Sequence, residues 1–173
     1  MALQLGHRKS VDLDFFGNLP VPSEEIRQIL ADQHHITVIQ ESKNINIYQI
    51  DGIKVDFVNY RYSWIDSLVE DQNIRLAGVK DIAAMKIAAI IGRGTKKDFI
   101  DLYYLLKRFS IEEILNLYLQ KYPDGSMFIA LKSLSYFGDA ESDPMPYMFR
   151  QIKWATIKKS IQNTITEYIK NHQ

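Results

Sequence analysis

The chain has 173 residues, an apolar share of 46%, and 21 basic residues against 21 acidic ones. This length and composition suit one globular domain or two small packed subdomains, and the balanced charge gives no argument for generic binding to nucleic acid or membranes. Any charged partner must therefore be held locally. The absence of cysteine excludes disulfides and thiolate metal sites, and no segment resembles a signal peptide or a membrane span. We expect a soluble cytoplasmic protein.

The first predicted strand lies in HRKSVDLDFF, residues 7–16, where apolar and polar residues alternate. The apolar positions are Val11, Leu13 and Phe15, and the polar positions are Ser10, Asp12 and Asp14. This pattern predicts a strand whose apolar face is buried. The two aspartates repel each other, and either a bound cation or plain solvation would relieve that repulsion. The pair is therefore either a metal-binding motif or the solvent face of an ordinary strand.

The chain up to residue 77 continues with strand patterns and turns. LPVPSEEIRQILADQ contains turn-forming prolines, a candidate N-cap at Ser23 and a short amphipathic helix over residues 24–33. ITVIQES, NINIYQI and IKVDFVNY are strand patterns, and Asp51-Gly52 between the last two is a strong hairpin signal. We expect residues 1–77 to form a small, mixed, mostly antiparallel sheet with flanking helices, so that the fold class is α+β.

From residue 78 onwards the apolar residues recur at helical spacing. The predicted helices are DIAAMKIAAIIGR, KKDFIDLYYLLKRF, SIEEILNLYLQKY, SMFIALKSLSYF and WATIKKSIQNTITEYIKNH. The first is apolar around most of its circumference, as expected of a helix buried between others. The third opens with Ser110 and Glu113 in capping-box register. We expect residues 78–173 to form a C-terminal helical bundle that packs on the preceding part.

A third carboxylate, Asp56 in IKVDFVNY, can join the first two if its strand lies beside the first strand. Carboxylates on neighbouring strands offer the hard oxygen ligands that a pair of Mg²⁺ ions needs, with positions left for phosphate oxygens and water. Such metals neutralise a triphosphate and lower the pKa of an attacking hydroxyl, and Asp56 is the candidate for assisting that deprotonation. A purely structural interpretation requires Asp56 to lie far from Asp12 and Asp14.

The predicted helices carry a second group of polar residues. Lys86 and Arg93 are seven residues apart and share a helix face, and Asp98 and Asp101 share a face of the next helix. A lysine in so apolar a helix must extend to solvent, pair with an acid or face a site.

Both acids also have structural interpretations. Thr95 would be an N-cap with Asp98 at the N3 position of the helix, and Asp101 would pair with Lys97 four residues earlier.

Four segments together resemble the AbiEii/AbiGii-type nucleotidyltransferase toxins of bacteria. They are HRKSVDLDFF, IKVDFVNY, DIAAMKIAAIIGRGTKKDFIDLYYLL and DPMPYMFRQIKWATIKKSI. The resemblance covers nearly the whole chain and implies the fold of the DNA polymerase β-like nucleotidyltransferases. It also implies one or two Mg²⁺ ions as cofactor, a nucleoside triphosphate such as GTP as donor, and an acceptor such as RNA. The family acts in type IV toxin–antitoxin and abortive-infection systems, so a cognate antitoxin is an expected partner.

The resemblance also gives roles to residues that match the family's motifs. The metal-binding residues would be Asp12, Asp14 and Asp56. The catalytic set would add Lys86, Asp98 and Asp101 to these. The nucleotide-binding set would be Arg8, Ser10, Lys86, Arg93 and Lys97. Lys86, with Asp81 in a D-x-x-x-x-K element, would contact phosphates, and one of the closing acids would act as a base or orient the acceptor.

One family feature lies upstream of the D-x-D motif: a glycine pair whose backbone amides cradle the triphosphate at a helix N-terminus. The chain opens with MALQLGHRKS, so we expect it to begin inside that helix, after the glycines, as a truncated family member. Two functions are therefore open. One is an active Mg²⁺-dependent nucleotidyltransferase toxin, and the other is a catalytically impaired remnant or non-catalytic binding module with the same fold.

Overall fold

The structure, a computed structural model, describes residues 2–18 and 21–172. In chain order its elements are α1 (Ala2–Leu5), β1 (Leu13–Gly17), α2 (Ser23–Ala31), β2 (Ile36–Glu41), β3 (Ile45–Ile50), β4 (Ile53–Asn59), β5 (Val69–Asp71), β6 (Ile74–Leu76), α3 (Val79–Gly92), α4 (Lys96–Leu105), α5 (Ile111–Lys121), α6 (Met127–Leu134) and α7 (Trp154–Asn171). A short 3-10 turn, Gly138–Ala140, precedes the last helix. None of the described helices is long and apolar enough to cross a bilayer.

The chain divides into two compact units. The sheet unit is Ser10–Tyr62, and the helical unit is Met1–Lys9 together with Ser63–Gln173. This division differs from the predicted boundary between residues 77 and 78. The difference arises because the segments flanking the sheet unit on both sides are bound to helices by side-chain contacts, which spacing along the sequence does not reveal.

The sheet unit contains a four-stranded sheet in the order β1-β4-β3-β2. β2, β3 and β4 are antiparallel neighbours, and β1 adds to β4 in parallel. The predicted mixed, mostly antiparallel sheet is therefore confirmed. The predicted hairpin is also present between β3 and β4, where Asp51 and Gly52 have φ of 49° and 84°. A two-residue hairpin turn of this type requires positive φ at both central residues, and aspartate and glycine adopt positive φ more easily than most residues.

The helix of the sheet unit begins one position earlier than predicted. Ser23 is the first residue of α2, and Pro22 is its N-cap. Proline is tolerated at the start of a helix because it lacks a backbone N–H, and the first N–H groups of a helix have no partner within the helix. The other proline of the segment, Pro20, lies outside the described residues.

The apolar face of the first strand is exposed, so the prediction that it is buried was wrong. On this face of the sheet, Tyr48 and Val55 of the central strands are buried. Val11, Leu13 and Phe15 are 66%, 50% and 49% exposed. β1 is an edge strand, and alternation along a strand shows which side chains share a face without showing whether a second layer covers that face.

The helical unit has its core where α3 packs against α4, α5 and α6. Ile87 of α3 is fully buried in one cluster with Phe99, Leu115 and Ile157. The prediction that this helix lies between others is confirmed, and it explains why α3 is apolar around most of its circumference.

The predicted capping box of α5 is also confirmed. Ser110 Oγ accepts the Glu113 N–H at 3.1 Å, and Glu113 Oε2 accepts the Ser110 N–H at 2.7 Å. Two otherwise unpaired amides at the helix N-terminus are thereby satisfied.

The two-stranded β5–β6 hairpin is an element that the sequence did not predict. Its strands have three residues each, and Gln72 and Asn73 at the turn have φ of 46° and 66°. Strands this short carry no measurable alternation, so periodicity does not detect them.

Candidate functional site

The D-x-D carboxylates lie at the beginning of β1. Asp12 precedes the strand, and Asp14 is its second residue. The parallel register pairs Asp14 with Asp56 of β4, so the two residues share a sheet face on strands about 4.8 Å apart. The condition under which Asp56 can join the first two carboxylates, that its strand lies beside the first strand, is therefore met. The interpretation in which Asp56 lies far from the D-x-D motif is excluded by this register.

The two paired carboxylates have different surroundings. Asp14 is exposed and Asp56 is half-buried. Lys54 lies on the same face of β4, and its Nζ donates to Asp56 Oδ1 at 2.5 Å. Oxygen donors on adjacent strands, partly open to solvent, have the chemistry that Mg²⁺ prefers. Within residues 2–18 and 21–172, however, no three His, Cys, Asp or Glu side chains are grouped closely enough to hold a metal ion, and Asp56 is paired with Lys54.

Asp101 of α4 is the centre of a buried ion cluster, which we call the Asp101 cluster: His7, Arg8, Lys86, Asp98 and Asp101. Asp101 Oδ1 accepts from Arg8 Nε at 2.7 Å and lies 2.7 Å from His7 Nε2. Asp101 Oδ2 accepts from Arg8 Nη2 at 2.9 Å and lies 2.9 Å from Lys86 Nζ. Both carboxylate oxygens are therefore occupied by donors, and the side chain has no exposed surface.

These donors determine the charge state of Asp101. Burial by itself would raise the pKa of its carboxyl group, but the hydrogen bonds from His7 and Arg8 and the charges of Lys86 and Arg8 outweigh it. The pKa of Asp101 is consequently held far below its ordinary value, and the residue is a carboxylate at any physiological pH.

Asp98 has a comparable environment at the N-terminus of α4. Its Oδ1 accepts from Lys86 Nζ at 2.8 Å, and its Oδ2 accepts from Arg93 Nε at 3.1 Å and from Thr95 Oγ1 at 2.6 Å. Burial would raise the pKa of Asp98, but the charge and hydrogen bond of Lys86, with the hydrogen bond of Thr95, lower it below the usual value. The Thr95 N–H also donates to Asp98 Oδ2 at 3.3 Å, so the capping interpretation of Asp98 is confirmed.

Lys86 joins the two acids of α4. Its Nζ lies between Asp98 and Asp101. Of the three alternatives for a lysine in an apolar helix, the structure therefore shows pairing with an acid. The remaining predicted nucleotide-binding residues are more exposed. Arg93 is the C-cap of α3 and has an exposed side chain that contacts Asp98, Lys97 lies partly exposed in the first turn of α4, and Ser10 is exposed in the sheet unit.

Asp81 is a second buried acid of the helical unit. Its Oδ1 accepts the Ile65 N–H at 2.9 Å and Lys121 Nζ at 2.6 Å, and its Oδ2 accepts the Asp66 N–H at 2.9 Å. Lys121 also donates to the Ser63 carbonyl at 2.9 Å. The Asp81–Lys121 pair therefore fixes residues 63–66 to α3 and α5.

Sequence reasoning missed the roles of His7 and Lys121. Lys121 had a detectable signal, because it follows Ile114 and Tyr118 at helical spacing on the apolar face of α5. A lysine at such a position needs a buried acidic partner. His7 had no comparable signal, since its partner Asp101 is distant in the sequence.

Comparison with known proteins gives the family. Residues 1–169 match the family model described as nucleotidyl transferase AbiEii toxin, type IV TA system. The chain belongs to the AbiEii nucleotidyltransferase toxin family. The predicted resemblance is thereby confirmed. An uncharacterised protein of Aquifex aeolicus (strain VF5) is 34% identical to this AbiEii chain over 181 residues, which cover 99% of this chain and 85% of the relative.

Two crystal structures share the fold of this AbiEii family member. A provisionally assigned nucleotidyltransferase from H. pylori has a TM-score of 0.59 and 17% identity, and the match covers 98% of this chain and 84% of that one. JHP933 from Helicobacter pylori has a TM-score of 0.51 and 16% identity, with coverage of 95% and 77%. The predicted α+β nucleotidyltransferase fold class is confirmed by these likenesses.

Proposed function

We propose that this AbiEii family member uses Mg²⁺ and a nucleoside triphosphate, such as GTP, to transfer a nucleotidyl group to an RNA acceptor. It would act in the bacterial cytoplasm as a toxin restrained by a cognate antitoxin. The observation that carries the proposal is the register that sets Asp14 opposite Asp56 on one face of the sheet. Asp12 lies two residues before Asp14 and adds a third carboxylate. Carboxylate oxygens are chemically suitable ligands for a divalent cation.

The sheet carboxylates would hold the metal. When bound, Mg²⁺ neutralises the triphosphate and lowers the pKa of the attacking hydroxyl. Asp12, Asp14 and Asp56 would supply its protein ligands after their side chains move closer together, and Asp56 would also help to take up the hydroxyl proton. Lys54 now occupies Oδ1 of Asp56, so metal binding through this oxygen would require the ammonium group to move away. The exposure of Lys54 makes such a movement inexpensive.

The acids of α4 are better suited to positioning than to proton transfer. A general base needs an accessible carboxylate with a free lone pair near the reacting proton. Asp101 is buried, accepts four contacts and has a strongly lowered pKa. We therefore assign Asp98, Asp101, Arg8 and Lys86 to positioning. Direct contact with phosphate is assigned to the more exposed residues Ser10, Arg93 and Lys97.

A transfer assay tests the proposal. The full chain is incubated with each labelled nucleoside triphosphate in turn, Mg²⁺ and total tRNA, and label on RNA is measured. Transfer is expected with Mg²⁺, and its loss is expected with EDTA and in Asp14→Asn. Asp32→Asn, a change at an exposed aspartate of the same unit, is the matched control and should retain transfer. Absence of transfer together with absence of Mg²⁺-dependent triphosphate binding in calorimetry would favour a non-catalytic module with the same fold.

A further inference from the structure

The segment before α7, residues 144–153, carries exposed aromatic side chains. Tyr147 and Phe149 are 70% and 59% exposed, and their ring centroids are 5.9 Å apart. Met145, two residues earlier, is also exposed. We call Met145, Tyr147 and Phe149 the aromatic strip. Single exposed apolar residues are normal on a protein surface, but adjoining exposed rings are typical of a binding surface.

The aromatic strip is held in place from behind. The backbone bonds are Lys9 N–H to the Tyr147 carbonyl at 2.9 Å and Phe149 N–H to the His7 carbonyl at 3.1 Å. Arg8 and Met148 form an antiparallel bridge between these bonds, and Met148 packs against the helical core. Because neighbouring side chains of an extended segment point in opposite directions, Tyr147 and Phe149 point away from the core. The rings are thus displayed on a fixed backbone.

Basic side chains accompany the rings. Arg150 directly follows Phe149, Lys153 ends the segment, and Lys9 is joined through its backbone to Tyr147. All three cations are exposed. The segment itself contains two basic residues and no acidic residue. A chain of zero net charge therefore has a local positive surface at this place.

The acidic residues that precede the strip are engaged by other partners. Glu141 accepts hydrogen bonds from Lys158 and from Trp154. Asp143 accepts the backbone N–H of Lys96 at 2.9 Å at the start of α4. Their charges are directed towards helices of the same unit and not towards the rings.

We propose that the aromatic strip, with Lys9 and Arg150, is a stacking platform for single-stranded RNA. This inference rests on the proposed function, in which RNA is the acceptor. Exposed rings stack on any base, and flanking cations contact the phosphates, which is the usual combination in sequence-tolerant single-strand binding.

Fluorescence anisotropy of the full chain with an end-labelled single-stranded RNA, without triphosphate, tests the platform. Tyr147→Ala and Phe149→Ala should each weaken binding at least about fivefold. Lys9→Gln and Arg150→Gln should each reduce the slope of log affinity against log salt by about 0.7, the value for one lost phosphate contact. Phe128→Ala removes a 74% exposed ring of α6 and is the matched control that should leave binding unchanged. Thermal unfolding should be the same for all five variants.

Two results would overturn the platform. One is unchanged RNA affinity in both ring variants. The other concerns self-association, measured by analytical ultracentrifugation. If the wild type is a dimer, and Tyr147→Ala converts it to a monomer without changing the RNA affinity, the strip is an interface between two copies of the chain. Asp14→Asn should bind RNA as the wild type does while transferring nothing. A wild type that binds RNA through the strip but transfers no nucleotide would contradict the proposed function and support the platform.

Discussion

The aspartates of the helical unit and those of the sheet unit have opposite environments. Asp81, Asp98 and Asp101 have no exposed surface, and each contacts a lysine. Asp14 is exposed, and its neighbour Asp56 is half-buried beside Lys54. The resemblance found in the sequence assigns all five to family motifs, so such an assignment alone does not distinguish a residue that holds the fold from one that can bind a ligand. The contacts of each carboxylate make that distinction.

The energetic consequences of removing these acids should differ accordingly. A buried ion pair adds little net stability relative to a well-packed apolar pair, but loss of one partner leaves an uncompensated buried charge. An exposed aspartate leaves no such charge behind. Substitutions in the two units therefore test the comparison directly.

The largest effect is expected for Asp81→Ala. This change leaves the ammonium group of Lys121 buried without its carboxylate and leaves the amides of residues 65 and 66 without an acceptor. We expect a loss of about 3–5 kcal/mol in the free energy of unfolding, measured with urea. The double variant Asp81→Asn/Lys121→Met should recover part of the loss. A loss below about 1 kcal/mol in the single variant would show that the pair does not hold residues 63–66.

A similar contrast is expected between Asp101→Ala and Asp14→Ala. Removal of Asp101 leaves Arg8 and Lys86 without a shared acceptor, so the free energy of unfolding should fall by about 3 kcal/mol or more. Asp14→Ala should change it by no more than about 0.5 kcal/mol, because Asp14 is exposed. Equal losses in the two variants would remove the distinction between the units.

Acidification should affect the helical unit through Asp98 and Asp101. Their pKa values are lower in the folded chain than in the unfolded chain, so unfolding takes up protons as the pH falls. The stability they contribute is complete above about pH 4, the ordinary carboxyl range, and is lost progressively below it. The variant Asp101→Asn, which cannot titrate at this position, should therefore lose less stability than the wild type between about pH 5 and pH 2. Urea unfolding at several pH values measures the difference, and identical slopes would contradict the account.

The smallest effect is expected at the sheet. Lys54→Gln removes the cation that competes for Asp56, so Mg²⁺ binding in calorimetry should become a few-fold tighter if Asp14 and Asp56 hold the metal. The stability of the chain should hardly change, because the Lys54–Asp56 pair is partly exposed. Weaker Mg²⁺ binding would indicate that Lys54 positions Asp56 for the metal.

Local patterns in the sequence were sufficient for the hairpin at Asp51-Gly52 and the capping box of α5, whereas the pairing of the strands of Asp14 and Asp56 was only a condition that the structure meets. The first two depend on turn chemistry or on alternation over a few residues. The packing of a second layer on the sheet cannot be predicted from such local patterns. The exposure of Leu13 depends on whether another element covers the edge of the sheet, and alternation contains no information on that point.

The Asp101 cluster shows a second limit. His7 and Asp101 are 94 residues apart in the sequence, and their hydrogen bond depends on how the chain returns to the N-terminal segment. Helical spacing grouped Asp98 with Asp101 and left pairing with an acid open for Lys86, but it did not indicate that the two acids are buried or that they are the partners of Lys86. The sequence therefore identified these acids, and the structure adds that they are buried and paired with a lysine.

We propose that the sheet carboxylates provide the chemistry while the helical acids hold the fold. The most direct measurement is Mg²⁺-dependent transfer of label from nucleoside triphosphate to RNA by Asp14→Asn, with its thermal unfolding measured on the same preparation. The account predicts transfer at background level in a variant that unfolds at the temperature of the wild type. Wild-type transfer by a fully folded Asp14→Asn variant would contradict it.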